Sequence, residues 1–149
     1  MEKELLNTFD KELLLKDLCA RLNTNLVCSI YREDDYGIGY RDENLHGYYK
    51  VDDGYEFYFG EDCGISVDSI SKIKPYLFPL SSMTEEQHNE FFSYFHNIEM
   101  AEVKASGDYL KAAYIGDDAK YSWLNKNHFD YRYLIEKGLA IDATGLNIY

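Results

Sequence analysis

The densest mixture of aromatic and ionisable groups in the chain is Trp123, His128, Phe129, Asp130, Tyr131 and Arg132. Two readings of it stand side by side. In one, Asp130 caps a short helix over Tyr131–Lys137, Trp123 and Phe129 fill core, and His128 and Arg132 pair with carboxylates. In the other the group is a recognition patch, since an arginine beside aromatics is a frequent binding anchor. With Pro75 and Tyr76 it would then border a pocket near Pro75–Pro79 for a small ligand or substrate.

Reactive residues elsewhere converge poorly. His46, His88, His96 and His128 give no HExxH and no pair on adjacent helical turns, so no metal site is expected. Gly37-Ile38-Gly39 lacks the third glycine and the following helix of a dinucleotide loop, and reads as strand glycines that permit a bend or a close approach. Cys19 and Cys28 read as small core residues, and Cys63, between Asp62 and Gly64, as a turn residue beside carboxylates that oppose a thiolate. Asp34, Asp35, Asp52, Asp53, Glu61 and Asp62 contain no run matching a calcium loop. A glycosidase-type carboxyl pair would require a hairpin register that spacing alone does not supply. The expectation is a chain without metal, cofactor or catalytic constellation.

The elements that must position these groups fit one domain-sized chain. Its 149 residues suffice to bury roughly 70% of the unfolded surface. No window approaches the ~18 apolar residues of a membrane span, and Met1-Glu2-Lys3-Glu4 lacks a secretory layout, so a cytoplasmic protein without membrane contact is expected. Charge is uneven: of the net −12, the segment from Glu33 to Asp68 holds eleven acids against Arg41 and Lys50. Tyr31, Tyr36, Tyr40, Tyr48, Tyr49, Tyr55 and Tyr58 lie in or beside it. Such a surface repels phosphate backbones and suits a protein partner.

Asp10 is placed to cap a helix running to about Leu22, with Leu14, Leu15, Leu18, Cys19 and Leu22 on its apolar stripe. The pattern then turns to short β runs, Leu26–Arg32, Tyr36–Arg41, Gly47–Val51, Tyr55–Phe59 and Ile65–Val67, with a hairpin signal at Asp52-Asp53-Gly54. Ser69–Pro79 is expected to leave the sheet as a joint marked by Pro75 and Pro79. Capping boxes at Ser82/Glu85 and Thr84/Gln87 start a helix to about His96. Ile98–Lys104 and Tyr109–Ile115 read as a β-hairpin around Ser106-Gly107-Asp108, followed by a helix from Ala119 to Asn127 and an extended tail, Leu139–Tyr149. The fold class is therefore α+β: over residues 1–80, a helix on a small curled antiparallel sheet or SH3-like barrel, and over 81–149 a mainly helical half packed on it as one unit.

Two sets of strings carry a resemblance. Lys11–Leu22 with Ile73-Lys74-Pro75-Tyr76-Leu77-Phe78-Pro79-Leu80-Ser81-Ser82-Met83-Thr84-Glu85-Glu86, and Trp123-Leu124-Asn125 with His128–Arg132 and Leu134–Ala140, resemble the two ends of a family of small proteins of phages, prophages and mobile elements of gut Bacteroidales. Family members usually carry arginine at the position of Phe78 and glycine at that of Tyr133. The resemblance implies a phage-type accessory protein in a bacterial cytoplasm, and no mechanism.

The reading that follows is a non-enzymatic protein acting through protein–protein contact, with a basic-faced partner and no direct nucleic-acid binding. It would block a host or defence factor, nucleic-acid mimicry being the narrower version. The expected contact residues are Asp34, Asp35, Tyr36, Tyr40, Asp42, Glu43, Asp52, Asp53, Tyr55, Glu61 and Asp62. A small-ligand protein or enzyme with a pocket at the Pro75 and Arg132 motifs, and a self-associating homo-oligomeric module, are the alternatives.

Overall fold

A computed structural model of the chain describes residues 6–34, 37–60 and 63–149. An N-terminal helix is followed by a curled mixed sheet and then by a helical C-terminal half, an α+β arrangement. Asn7, rather than Asp10, caps α1 (Thr8–Ala20): the Asn7 side chain accepts the Asp10 backbone N–H at 2.8 Å. Asp10, one turn in, favours the positive end of the helix dipole.

Strands β1 (Val27–Asp34), β2 (Gly37–Val51), β3 (Gly54–Phe59), β4 (Cys63–Ser66), β5 (Ile73–Pro79), β6 (Phe129–Asp130) and β7 (Ile141–Asp142) form one sheet. Its order is β4-β3-β2-β1-β5-β6, with β7 also on β5, an open path rather than a closed barrel. The chain was expected to break at Asp42-Glu43-Asn44, yet β2 runs through them because Ser29, Cys28 and Val27 pair with them in turn. The first half of β2 pairs with β1 and the second with β3, and a bulge between Leu45 and Gly47 separates the two registers. That bulge is where the sheet curls. The hairpin at Asp52-Asp53 closes with Val51 opposite Gly54, and Cys63 opens β4 as a buried strand residue rather than a turn.

β5 does not leave the sheet. It pairs antiparallel with β1, Cys28 facing Pro75, and parallel with β6 and β7. Two prolines are tolerated because Pro79 ends the strand and pairing with β7 begins only at Tyr76, beyond Pro75.

Helices replace the hairpin expected over residues 98–116. α2 (Glu85–Ser106) starts in the Thr84/Gln87 capping box and continues well past His96, and α3 (Tyr109–Lys126) starts ten residues before Ala119. Ser106-Gly107-Asp108 is the join: Gly107, at φ 66, ends one helix in the left-handed conformation, and Asp108 caps the next by accepting from the Leu110 and Lys111 amides. Residues 131–137 are turns rather than a helix. Tyr133 sits at φ 58, which breaks a right-handed helix.

The core lies between α1 and the inner sheet face. Leu14, Leu18, Cys28, Ile30, Phe57, Ile73 and Leu77 meet there, and Leu134 and Leu139 of the C-terminal turns close it. A smaller cluster, Trp123, Leu124 and Phe129 with Phe78 and Phe91, anchors the base of the helical pair.

Candidate functional site

Directly opposed residues of an antiparallel ladder share a face. The register puts Tyr31 opposite Tyr40, Glu33 opposite Ile38 and Ser29 opposite Asp42, on the side away from Cys28 and Ile30. Tyr40 and Ile38 are 69% and 75% exposed, and the Tyr31 and Tyr40 rings meet edge to face at 5.2 Å. Beyond the bulge the same outer side carries Tyr49, Glu56 and Tyr58, with Tyr49 and Tyr58 ring to ring at 5.5 Å. Gly47 makes this possible: a Cβ there would collide with the Tyr49 ring that covers it.

Each described carboxylate of this face holds a tyrosine hydroxyl. Tyr31 donates to Glu33 at 2.9 Å and Tyr76 to Asp42 at 2.7 Å. Tyr58 is hydrogen-bonded to Glu56, and that bond raises its pKa, as the Glu33 bond raises that of Tyr31. For Tyr76, burial comes first and the Asp42 bond second. Lys74, opposite Ser29, is exposed on the same side.

The sequence-expected contact residues divide. Tyr40 and Asp42 lie on the outer face. Glu43 is paired with Cys28 and turns to the inner side. Asp52 and Asp53 form the exposed hairpin tip. Tyr55 stacks on Tyr48 at 5.1 Å, in line with Phe57 on the inner side. Asp34 contributes its backbone, opposite Gly37. Asp35, Tyr36, Glu61 and Asp62 lie outside the described residues. Tyr31, Glu33, Ile38, Tyr49, Glu56 and Tyr58 complete the face and were missed as contacts. The alternation of 31/33 and 38/40/42 carried the signal for half of them.

The Trp123–Arg132 cluster is pulled into structure rather than into one open pocket with Pro75 and Tyr76. Trp123 stacks on Phe129 at 5.7 Å. Asp130 accepts from the Leu134 and Ile135 amides, both at 3.0 Å, and so caps a turn. His128, buried at φ 63, stacks on Tyr149 at 3.7 Å, and burial ahead of the Arg21 charge lowers its pKa to about 4. The Tyr149 hydroxyl lies 2.8 Å from the Tyr76 carbonyl and 3.0 Å from the Val27 N–H, pinning the chain end across β1 and β5. Pro75 is a buried strand residue.

Beneath them Asp17 receives Arg21 Nε at 3.0 Å and Arg132 Nη1 at 2.7 Å, and Arg21 Nη2 donates to the Phe129 carbonyl. Asp17 and Arg21 are wholly buried. Arg132 and Tyr131 reach one side of a cleft of about 540 Å³ between α1 and α3. Among the described residues no group of three or more His, Cys, Asp or Glu is placed to hold a metal ion, and no helix is long and apolar enough to cross a membrane.

No family model, curated protein or solved structure matches the chain.

Proposed function

We propose that this is a non-enzymatic, phage-type accessory protein of the bacterial cytoplasm that acts through protein–protein contact. Its outer sheet face engages a basic surface on a host or defence factor and blocks it. The observation that carries the reading is the collection of Tyr31, Tyr40, Tyr49 and Tyr58 with Glu33, Asp42 and Glu56 on one side of three adjoining strands. Tyrosine supplies rigid contact area with a polar tip, and ordering it costs little side-chain entropy. The carboxylates supply charge that a lysine or arginine surface would meet. Because each already accepts from a tyrosine hydroxyl and they stand on different strands, the face fits a protein surface better than a row of phosphate substitutes.

The test is affinity capture from a bacterial host lysate at low and at high salt, with Glu33→Lys/Asp42→Lys/Glu56→Lys and Tyr40→Ala as comparisons. A specific partner should be held at low ionic strength, weakened at high salt and lost on both variants, since exposed charges are screened beyond about 8 Å at physiological salt. Identical captures by the native protein and both variants would refute the reading.

A further inference from the structure

On the helix side of the sheet, away from the tyrosine face, lies a site of the opposite sign. The cleft of about 540 Å³ is lined by Lys16 and Ala20 of α1, Tyr121 and Asn125 of α3, and Tyr131 and Arg132. Its size falls within the roughly 300–1,000 Å³ of small-molecule sites. In a chain of net charge −12 this cleft is bordered by cations. Among the described residues Asp17 is the one carboxylate paired with Arg21 and Arg132, so the trio keeps a positive charge, and Lys16, with no carboxylate partner among them, adds a second.

The cations are preorganised. Arg132 is held at Nη1 by Asp17 and lies with its Cζ 4.5 Å from the Tyr131 ring centre, leaving 15% of its side chain exposed at the cleft. Arg21 lies behind, 5.4 Å from the same ring, and its buried Nη1 has no acceptor. A guanidinium locked on one edge presents its remaining donors in a fixed fork suited to an oxyanion. The other wall is aromatic. Tyr121 and Tyr131 meet at 5.1 Å, and the Tyr131 hydroxyl donates to Asn125 Oδ1 at 2.7 Å, which fixes both ring and amide.

We infer that this cleft binds a small organic oxyanion bearing a flat ring, of about nucleoside-monophosphate size, with its phosphate or carboxylate on Arg132 and Lys16 and its ring against Tyr121 and Tyr131. The site is independent of the sheet face, and either can fail without the other.

Isothermal titration with adenosine monophosphate, 4-hydroxybenzoate, adenosine and inorganic phosphate tests it on the intact chain. Saturable binding of adenosine monophosphate identifies the phosphate form of the ligand, and of 4-hydroxybenzoate the carboxylate form. Uncharged adenosine should bind at least about tenfold more weakly than its monophosphate, the equivalent of losing one charge-assisted contact. Lys16→Gln, at an exposed position, should weaken the charged probe by about the same factor. Tyr121→Ala should weaken ring-bearing probes and leave inorganic phosphate unchanged. Arg132→Lys keeps a cation for Asp17 while removing the fork, and should lose affinity with an unchanged circular dichroism spectrum. No saturable binding of either ring-bearing anion up to about 10 mM, or binding that Lys16→Gln and Tyr121→Ala leave unaltered, overturns the inference; the 10 mM ceiling lies above ordinary ligand affinities.

Discussion

Asp17 and Arg132 lie 115 positions apart in the chain and meet at 2.7 Å, and the same carboxylate takes Arg21 from its own helix at 3.0 Å. One buried acid thus ties α1 to the C-terminal turns. Removing it would strand a wholly buried guanidinium, a change of the kind that costs about 3–5 kcal/mol. Asp17→Ala should lower stability by that order in urea denaturation. Arg132→Ala, which takes away the more exposed partner, should lower it less.

Acid should act through His128. Its pKa of about 4 lies below the ordinary 6.5, so between these values the unfolded chain binds a proton that the folded chain refuses. Stability therefore falls as pH drops through this window, by up to about 1.4 kcal/mol per pH unit. His128→Asn tolerates the φ of 63 and lacks the ionisable ring. Denaturation midpoints of the two proteins between pH 7 and pH 4 should converge on acidification, because only the native protein carries the His128 slope.

Tyr133 bears backbone strain. At φ 58 and 61% exposed, it gains little from packing and pays for a left-handed conformation. Tyr133→Gly should be neutral to stabilising, by up to about 1 kcal/mol once the greater freedom of glycine in the unfolded chain is deducted. A thermal melt reads the sign.

The helical join at residues 106–108 can be tested at each of its caps. Gly107→Ala imposes a side chain at φ 66, and Asp108→Ala leaves the Leu110 and Lys111 amides without their acceptor. Each should cost about 1 kcal/mol. The loss should appear as faster amide exchange at the α2–α3 tip, and a β-hairpin there would show no such helix-end pattern.

The helix, the strand-rich segment and the Asp52-Asp53 hairpin were legible because leucine spacing and turn chemistry are local. The α2–α3 pair was not. Ile98, Val103 and Ile115 suggest strands, while the deciding feature, a glycine that ends one helix beside an aspartate that begins another, has the same letters as a β-turn. Tyr131–Lys137 failed for the opposite reason: its pattern suits a helix, but the Asp130 carboxylate draws the Leu134 and Ile135 amides into a turn. Of the outer face only Tyr40 and Asp42 were named; alternation along β1 and β2 also carried Tyr31, Glu33 and Ile38, which were not read from it. The rest depended on where β2 changes partner, which the chemistry of single residues does not announce.

Tyr40 and Tyr49 stand an odd number of positions apart, and a regular strand would send them to opposite sides; the irregularity between Leu45 and Gly47 reconciles them. Deleting His46 would leave the two eight positions apart in a regular strand, so Tyr49 would stay outward and Tyr48 inward, and only the irregularity itself would be lost. The molecular exterior of this protein is thus governed by a count as much as by a composition: one surplus residue is absorbed where the strand changes partner, and what the strand shows to its surroundings is the same on either side of it.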